Sequence, residues 1–299
     1  MAEMLNEAVQ AALAREMAAP LAPGLYLVAT PIGNLTDISL RALAVLARAD
    51  RVFCEDTRHS QKLISHYGLP SRLAAYHDHN AARERPKILK ALEGGASVAL
   101  ISDAGTPLIS DPGYKLVREA ALQGTPVFSI PGASAVLAGL ASSGLPTDAF
   151  FFAGFLPPRE AAARARLEEL TGIPGTLILF DTASRLDKTL KSLGELFPAR
   201  ELVIARELTK RFEEVIRVTL PAPALIGADW KGEFVLLISP PAEQSVDEDE
   251  IRSAIIDALQ HSSLRDAVED VRRTLRVPRR QVYDLALKHQ KGSSRDESE

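Results

Sequence analysis

The side chains able to do chemistry in this 299-residue chain gather in five short loops. The densest, residues 98–113, reads V-A-L-I-S-D-A-G-T-P-L-I-S-D-P-G. Its apolar start, Val98 to Ile101, has the pattern of a buried strand that delivers Asp103 at its carboxyl end. Gly105 lets a ligand approach the backbone, and Pro107 and Pro112 stiffen the loop so that less entropy is lost on binding. The others are Thr30-Pro31-Ile32-Gly33-Asn34-Leu35, Cys54-Glu55-Asp56-Thr57-Arg58-His59, Tyr76-His77-Asp78-His79-Asn80 and Pro131-Gly132-Ala133-Ser134. The last opens a helix whose free backbone N–H groups suit a carboxylate. A Gly- and Pro-rich surface turn would explain any one loop. A set of them at successive strand ends points to one shared small-molecule site.

Several chemistries are disfavoured by what these loops lack. There is no G-x-x-x-x-G-K-[ST] to cradle a nucleotide's phosphates, and no G-x-G-x-x-G after the first strand. Ser110 and Ser134 lack the G-x-S-x-G setting of a hydrolase nucleophile. His77, Asp78 and His79 resemble metal ligands, but the two histidines alternate across an extended segment and no third ligand stands at a fixed spacing, so no metal is expected. Cys54 reads as a small core residue. Glu55, Asp56 and Arg58 admit two readings: acids capping a helix N-terminus, or a substrate-facing set in which Arg58 grips phosphate and a carboxylate takes a proton. Lys210, in A-R-E-L-T-K, and Lys231, in K-G-E-F-V, are either solvated or placed at the site.

The elements that must position these loops alternate. Strands are expected at Leu25–Ala29, Arg51–Cys54, Arg72–Ala75, Val98–Ile101 and Pro126–Ile130. Helices at Ser39–Arg48, Thr57–Tyr67, Ala81–Glu93, Gly113–Gln123 and Ser134–Ala141 separate them, which implies a mostly parallel sheet over a first domain of residues 23–143. The region Thr147–Leu156, with three consecutive phenylalanines, changes character. Helices at Arg159–Leu170 and Arg185–Phe197 and strands at Thr176–Phe180, Glu201–Ala205, Glu214–Leu220 and Glu233–Ile238 suggest a second, α+β domain over 144–240 with antiparallel pairing. The run Pro240–Ser245 reads as a linker. A helical module follows at 247–290, then a polar tail, 291–299, expected to be disordered. The Ala-rich extension 1–22 suits a helix or an unfolded arm.

The whole chain carries a net charge of −4 at pH 7, so any contact with nucleic acid must come from local basic patches. One such patch lies in the last module, where residues 272–291 hold seven bases against Asp284 alone, a net of +6. Ser263–Arg273 and Arg279–Lys288 joined by a Leu275–Pro278 turn give a helix-turn-helix outline, read either as a nucleic-acid contact or as a solvated basic face. A single cysteine excludes an internal disulfide and fits a reducing compartment. Without a signal-peptide pattern or an apolar run long enough to cross a bilayer, the protein is expected to be soluble and cytoplasmic, with no membrane partner.

The segments T-P-I-G-N-L-T-D-I-S, E-D-T-R-H, H-D-H-N, S-D-A-G-T-P-L-I-S-D-P-G, S-S-G-L-P-T-D, G-F-L-P, A-R-E-L-T-K and K-G-E-F-V-L, in that order from about Gly24 to His289, closely resemble one family. It is the bacterial small-subunit ribosomal RNA methyltransferase I family, within the tetrapyrrole-methylase-like superfamily. The resemblance implies an α/β architecture of two domains, a parallel-sheet domain and a mixed-sheet one, followed by a small helical module. It also implies S-adenosyl-L-methionine in the cleft, a homodimer, and 2′-O-methylation of a cytidine of 16S ribosomal RNA in the small subunit. The cofactor set it implies is Pro31, Asp103, Leu108, Ile109, Asp111, Ala133, Ser134, Phe180, Leu208, Gly232, Glu233 and Phe234. Asp56 or His79 would serve as base and Arg58 would orient the RNA backbone. Two stretches depart from the family pattern. Phe180-Asp181-Thr182-Ala183-Ser184-Arg185 stands where Tyr-Glu-Ser-x-His-Arg is common, and P-G-A-S-A replaces P-G-P-[CS]-A. A tetrapyrrole C-methyltransferase or a diphthine-synthase-like methylase is the rival enzyme, and a non-catalytic ribosome-binding protein the rival of another class. The basic tail and E-D-T-R-H argue against the enzymes, and the intact Asp103 loop against the scaffold.

Overall fold

Five short strands form the first sheet: β1 (Gly24–Val28), β2 (Arg51–Cys54), β3 (Leu73–Ala75), β4 (Ser97–Leu100) and β5 (Val127–Ile130). The computed structural model describes residues 1–242, 247–275, 277 and 279–296, with side chains to Lys288. All pairings in this sheet are parallel, in the order β3-β2-β4-β1-β5. A parallel sheet is covered on both faces, which explains why β4 is buried along its whole length and reads as a continuous apolar run. On one face α2 (Leu40–Arg48) and α3 (Thr57–His66) bury Ala42, Val45, Leu46 and Leu63 against Val28, Val52 and Ile101. On the other, α4 (Ala81–Glu93) and α5 (Tyr114–Leu122) bury Ile88, Leu92 and Leu116 against Leu25, Phe53 and Leu100.

The second sheet holds β6 (Phe150–Phe155), β7 (Thr176–Thr182), β8 (Glu201–Arg206), β9 (Glu214–Thr219) and β10 (Glu233–Ile238), in the order β6-β7-β10-β8-β9. β6 runs parallel to β7 and the other pairings are antiparallel, so the sheet is mixed. One face carries α7 (Glu160–Leu170) and α8 (Ala183–Leu196), whose Leu167, Leu170, Leu186, Leu190 and Leu193 fill the core with Leu177, Leu179 and Leu236. The other is covered by α6 (Ala135–Ser143), which leaves the first sheet after β5 and packs Val136 and Leu140 onto Ile178, Val203 and Val235. That helix ties the two sheets into one compact unit running to Pro241.

The N-terminal extension forms α1 (Ala2–Ala18), packed beside α2, with the Arg48 guanidinium donating to the Glu16 carbonyl at 3.1 Å. From Ala242 a separate unit begins, whose described part is α9 (Glu248–Leu259), α10 (Leu264–Leu275) and α11 (Arg279–Asp296). Its core is Ile251, Ile255, Val268, Val271, Val277, Val282 and Leu285. Helix α11 continues through Asp296, so most of the segment expected to be an unstructured tail is helical backbone. The basic run is also less bare than its count suggests. Arg272 pairs with Glu269 and Arg273 with Asp270, acids lying just before the counted window, and Arg280 approaches Asp284. Half of the linker at 240–245, together with Arg276, Pro278 and the Lys291 side chain, lies outside the described residues.

Candidate active site

Strands β1 and β4 are neighbours at the centre of the first sheet, yet their chains leave toward opposite edges, which opens a crevice beyond their carboxyl ends. The two following loops close on each other there. Thr30 and Gly105 exchange backbone hydrogen bonds at 2.9 and 3.0 Å, and the Thr106 hydroxyl donates to the Ala133 carbonyl at 3.3 Å. The third loop is tied in by the Asp56 N–H, which donates to Asp103 Oδ1 at 3.1 Å. Leu108 and Ser110 both sit at positive φ, 75° and 68°, a strained arrangement that a functional loop carries and a simple turn avoids.

A cavity of about 270 Å³ lies between this crevice and the ends of β7, β8 and β10. Its walls differ. From the first sheet come Ile32, the Asp103–Thr106 turn, Ile109, Ser110 and Asp111, and Ser134 follows at the start of α6. From the second come Phe155, Phe180, Ala205, Leu208, Phe234 and Val235, an apolar lining interrupted by Asp181, with Lys210 and Glu233 at its edge. Burial raises Asp111 to a pKa of about 6, helped by the charges of Glu55 and Asp103. Glu55 is also raised, first by burial and then by Asp103. Asp181, only 4% exposed, is pushed up by burial, and its Oδ2 finds no partner among the described residues. On the opposite edge Lys210 Nζ lies 2.9 Å from Glu207 Oε1 and 2.7 Å from Glu233 Oε2. Burial pulls that lysine's pKa down, but the two carboxylates outweigh it and hold it above the ordinary value.

Eight of the residues expected to hold the cofactor line this cavity: Asp103, Ile109, Asp111, Ser134, Phe180, Leu208, Glu233 and Phe234. Pro31, Leu108, Ala133 and Gly232 are not on its wall. Leu108 packs inward on the first core and Ala133 accepts from Thr106. At Gly232, φ is +95° and a Cβ would meet the Glu207 carboxylate at 2.4 Å, so this glycine makes room for the Glu207–Lys210 pair. The three residues expected to act on the substrate stand elsewhere. Asp56 caps α3 by accepting from the Arg58 N–H at 2.8 Å, and its carboxylate is gripped by the Arg58 guanidinium at 2.9 Å. These bonds drop its pKa to about 2, which makes it a poor proton acceptor near neutral pH. Arg58 is 90% exposed. His79 lies on an exposed turn braced by Asn80, whose side chain accepts from the His77 N–H and donates to the Ala75 carbonyl. Sequence reading missed Phe155, Ala205 and Val235 as lining residues, because apolar strand ends carry no local signature, whereas Asp181 lies in one of the stretches that depart from the family pattern. Lys210 stood in a recognisable motif.

A family model for tetrapyrrole (corrin/porphyrin) methylases matches residues 24–224. The chain is 56% identical to the ribosomal RNA small subunit methyltransferase I of Mesorhizobium japonicum, over 77% of this chain and 80% of that one. It is 42% identical to the protein of the same name from Pseudomonas aeruginosa, over 89% and 97%. The chain belongs to the tetrapyrrole methylase family, in its small-subunit ribosomal RNA methyltransferase I branch. A member of that family is an S-adenosylmethionine-dependent methyltransferase, and this chain is one. The family fold extends to solved structures. A uroporphyrin-III C-methyltransferase of Thermus thermophilus, complexed with S-adenosylhomocysteine, superposes with a TM-score of 0.51 at 20% identity, over 72% of this chain and 97% of that one.

Proposed function

We propose that this chain methylates the 2′-hydroxyl of a cytidine ribose in 16S ribosomal RNA of the small subunit, with the cavity between the sheets as the site of transfer. The observation that carries the reading is the cavity's division into an acidic wall and an apolar wall within a chain of this family. S-adenosylmethionine supplies an activated methyl on a positively charged sulfur. Ile109, Phe155, Phe180, Leu208 and Val235 suit the flat and apolar parts of such a molecule, and Asp103 and Asp111 suit its cationic centre. The protein's task is then alignment and exclusion of water. Asp103 holds the Asp56 loop against the Asp103–Asp111 loop, and α6 presents the N–H of Leu137 to the Ser134 hydroxyl, a cap that fixes the helix start at the cavity. Asp111 would take the ribose proton. Burial gives it a pKa of about 6, so it holds a proton near neutrality far more readily than Asp56, which Arg58 keeps near 2. The same reading takes the active form as a homodimer in the cytoplasm.

Tritiated S-adenosylmethionine offered with purified small subunits, free 16S RNA or uroporphyrinogen tests it. Label on a ribose of the subunit, and not on the porphyrin, is expected. Label on the porphyrin, or on none of the three, overturns the reading.

A further inference from the structure

The loop between β8 and β9 carries an aromatic ring in water. Phe212 is 68% exposed, and the Arg211 guanidinium lies over it at 5.7 Å from the ring centre. Floppy loops often expose an aromatic, but this one is tied down on both sides of the pair. Glu207 and Thr209 both have positive φ, 49° and 65°. The Thr209 N–H donates to Glu213 Oε2 at 2.7 Å, its hydroxyl accepts from the Asn34 N–H at 3.1 Å, and the Glu213 N–H returns to the Lys210 carbonyl at 3.1 Å. A Cβ on Gly33 would lie 2.5 Å from Lys210 Cγ and 2.7 Å from Thr209 Oγ1, so the first cavity loop and this one are interlocked. Backbone strain of this kind persists where the surroundings enforce it, and here it belongs to the pinned loop that displays the ring.

Beside the ring runs an open groove of about 630 Å³ whose lining includes Asn34, Thr36, His66, Thr209, Lys210 and Arg211. No carboxylate lines it, although the chain as a whole is acidic. Lys210 lines both the groove and the methyl-transfer cavity, so the two share that side chain as a common wall. The Arg211 guanidinium, with no ion-pair partner among the described residues, and the hydrogen-bonding groups beside it favour a phosphate-bearing partner, and an exposed ring under a guanidinium is a surface on which a nucleobase stacks.

We propose that Phe212 and Arg211 form a stacking platform for one unpaired nucleotide of the substrate strand beside the methylated residue, with the groove tracking the adjoining phosphate. The platform rests on the reading of RNA as substrate and adds to it the element that holds the strand in register. A splayed single strand is the form in which RNA bases become available for such stacking.

The test measures binding of purified small subunits by Phe212→Ala, Phe212→Trp and the unaltered protein, each saturated with S-adenosylhomocysteine. Calorimetry of that compound, in which all three should agree, reports the integrity of the cavity. Phe212→Ala is expected to weaken subunit binding roughly tenfold, within the range for loss of one stacked base, and Phe212→Trp to restore it to within about twofold. Equal subunit binding by Phe212→Ala and the unaltered protein overturns the platform alone. Failure of the unaltered protein to bind subunits overturns both the platform and the RNA reading. Sedimentation that shows Phe212→Ala dissociating from a dimer assigns the ring to a second copy and also overturns the platform.

Discussion

On the first-sheet side of the cavity, Asp103 and Asp111 stand near Glu55 with no ion-pair partner among the described residues, and burial holds Glu55 and Asp111 partly toward their neutral forms. On the second-sheet side, Glu207 and Glu233 clamp Lys210 between them, and the Glu207 carboxylate also accepts the Glu233 N–H at 3.0 Å. The same residue types therefore do opposite things a few side chains apart. One wall stores electrostatic repulsion that a cationic ligand relieves, and the Lys210 edge of the other is neutralised from within and serves as a rigid border. Affinity for the cationic centre should live in the first wall, and the Glu207–Lys210–Glu233 edge of the second should matter chiefly for stability.

The sharpest way to break that division is to exchange the effects. Asp103→Ala removes a charge facing the ligand and the acceptor that ties down the Asp56 loop. Loss of a charge-assisted contact of this kind predicts roughly 100-fold weaker S-adenosylmethionine binding by calorimetry, with a modest change in melting temperature. Gly232→Ala should do the reverse. The new methyl would sit 2.5 Å from Glu207 Cδ at a φ of +95°, so the fold should lose about 2–4 kcal/mol, read as a melting temperature lower by roughly 5–15 °C. Cofactor affinity of the folded fraction should fall far less. If Gly232→Ala costs as much affinity as Asp103→Ala while the fold stays intact, the Lys210 edge carries cofactor affinity as the acidic wall does and the division fails.

How far the sequence anticipates this arrangement differs between the same two walls. Strands β2 and β10 and helix α4 begin and end where the apolar runs and their flanking polar residues put them. The acidic loops are legible because each follows a parallel strand, and topology then carries them to one edge. Strand β6 is not. Its three phenylalanines show no alternation, and the register shifts between Phe152 and Gly154, so the period that marks a strand is broken. The apolar wall is equally silent, because Ala205 and Val235 look like any core residues until β8 and β10 are paired. Asp56 illustrates the limit on chemistry. Its identity fits a base and its place before Thr57 fits a cap, and only the 2.8 Å bond from the Arg58 N–H makes the cap visible.

The mildest change tests the stored repulsion itself. Asp111 has a folded pKa of about 6 against the ordinary aspartate value of 3.8, so the folded chain binds its proton more tightly than the unfolded chain does. The sign follows: this group favours the fold most below about pH 4, the advantage is lost as the pH rises to about 6, and above that the carboxylate is a net cost. After discounting for solvent, that cost is on the order of 1–2 kcal/mol. Asp111→Asn should therefore be more stable than the unaltered protein in urea at pH 7.5, by about that amount, with the gap closing as the pH falls toward 4. Its S-adenosylmethionine affinity at pH 7.5 should drop several-fold, since the repulsion that the cation relieves is gone. A variant that is less stable at pH 7.5 would mean that Asp111 is already satisfied, as Glu207 is, and the two walls would then be electrostatically alike.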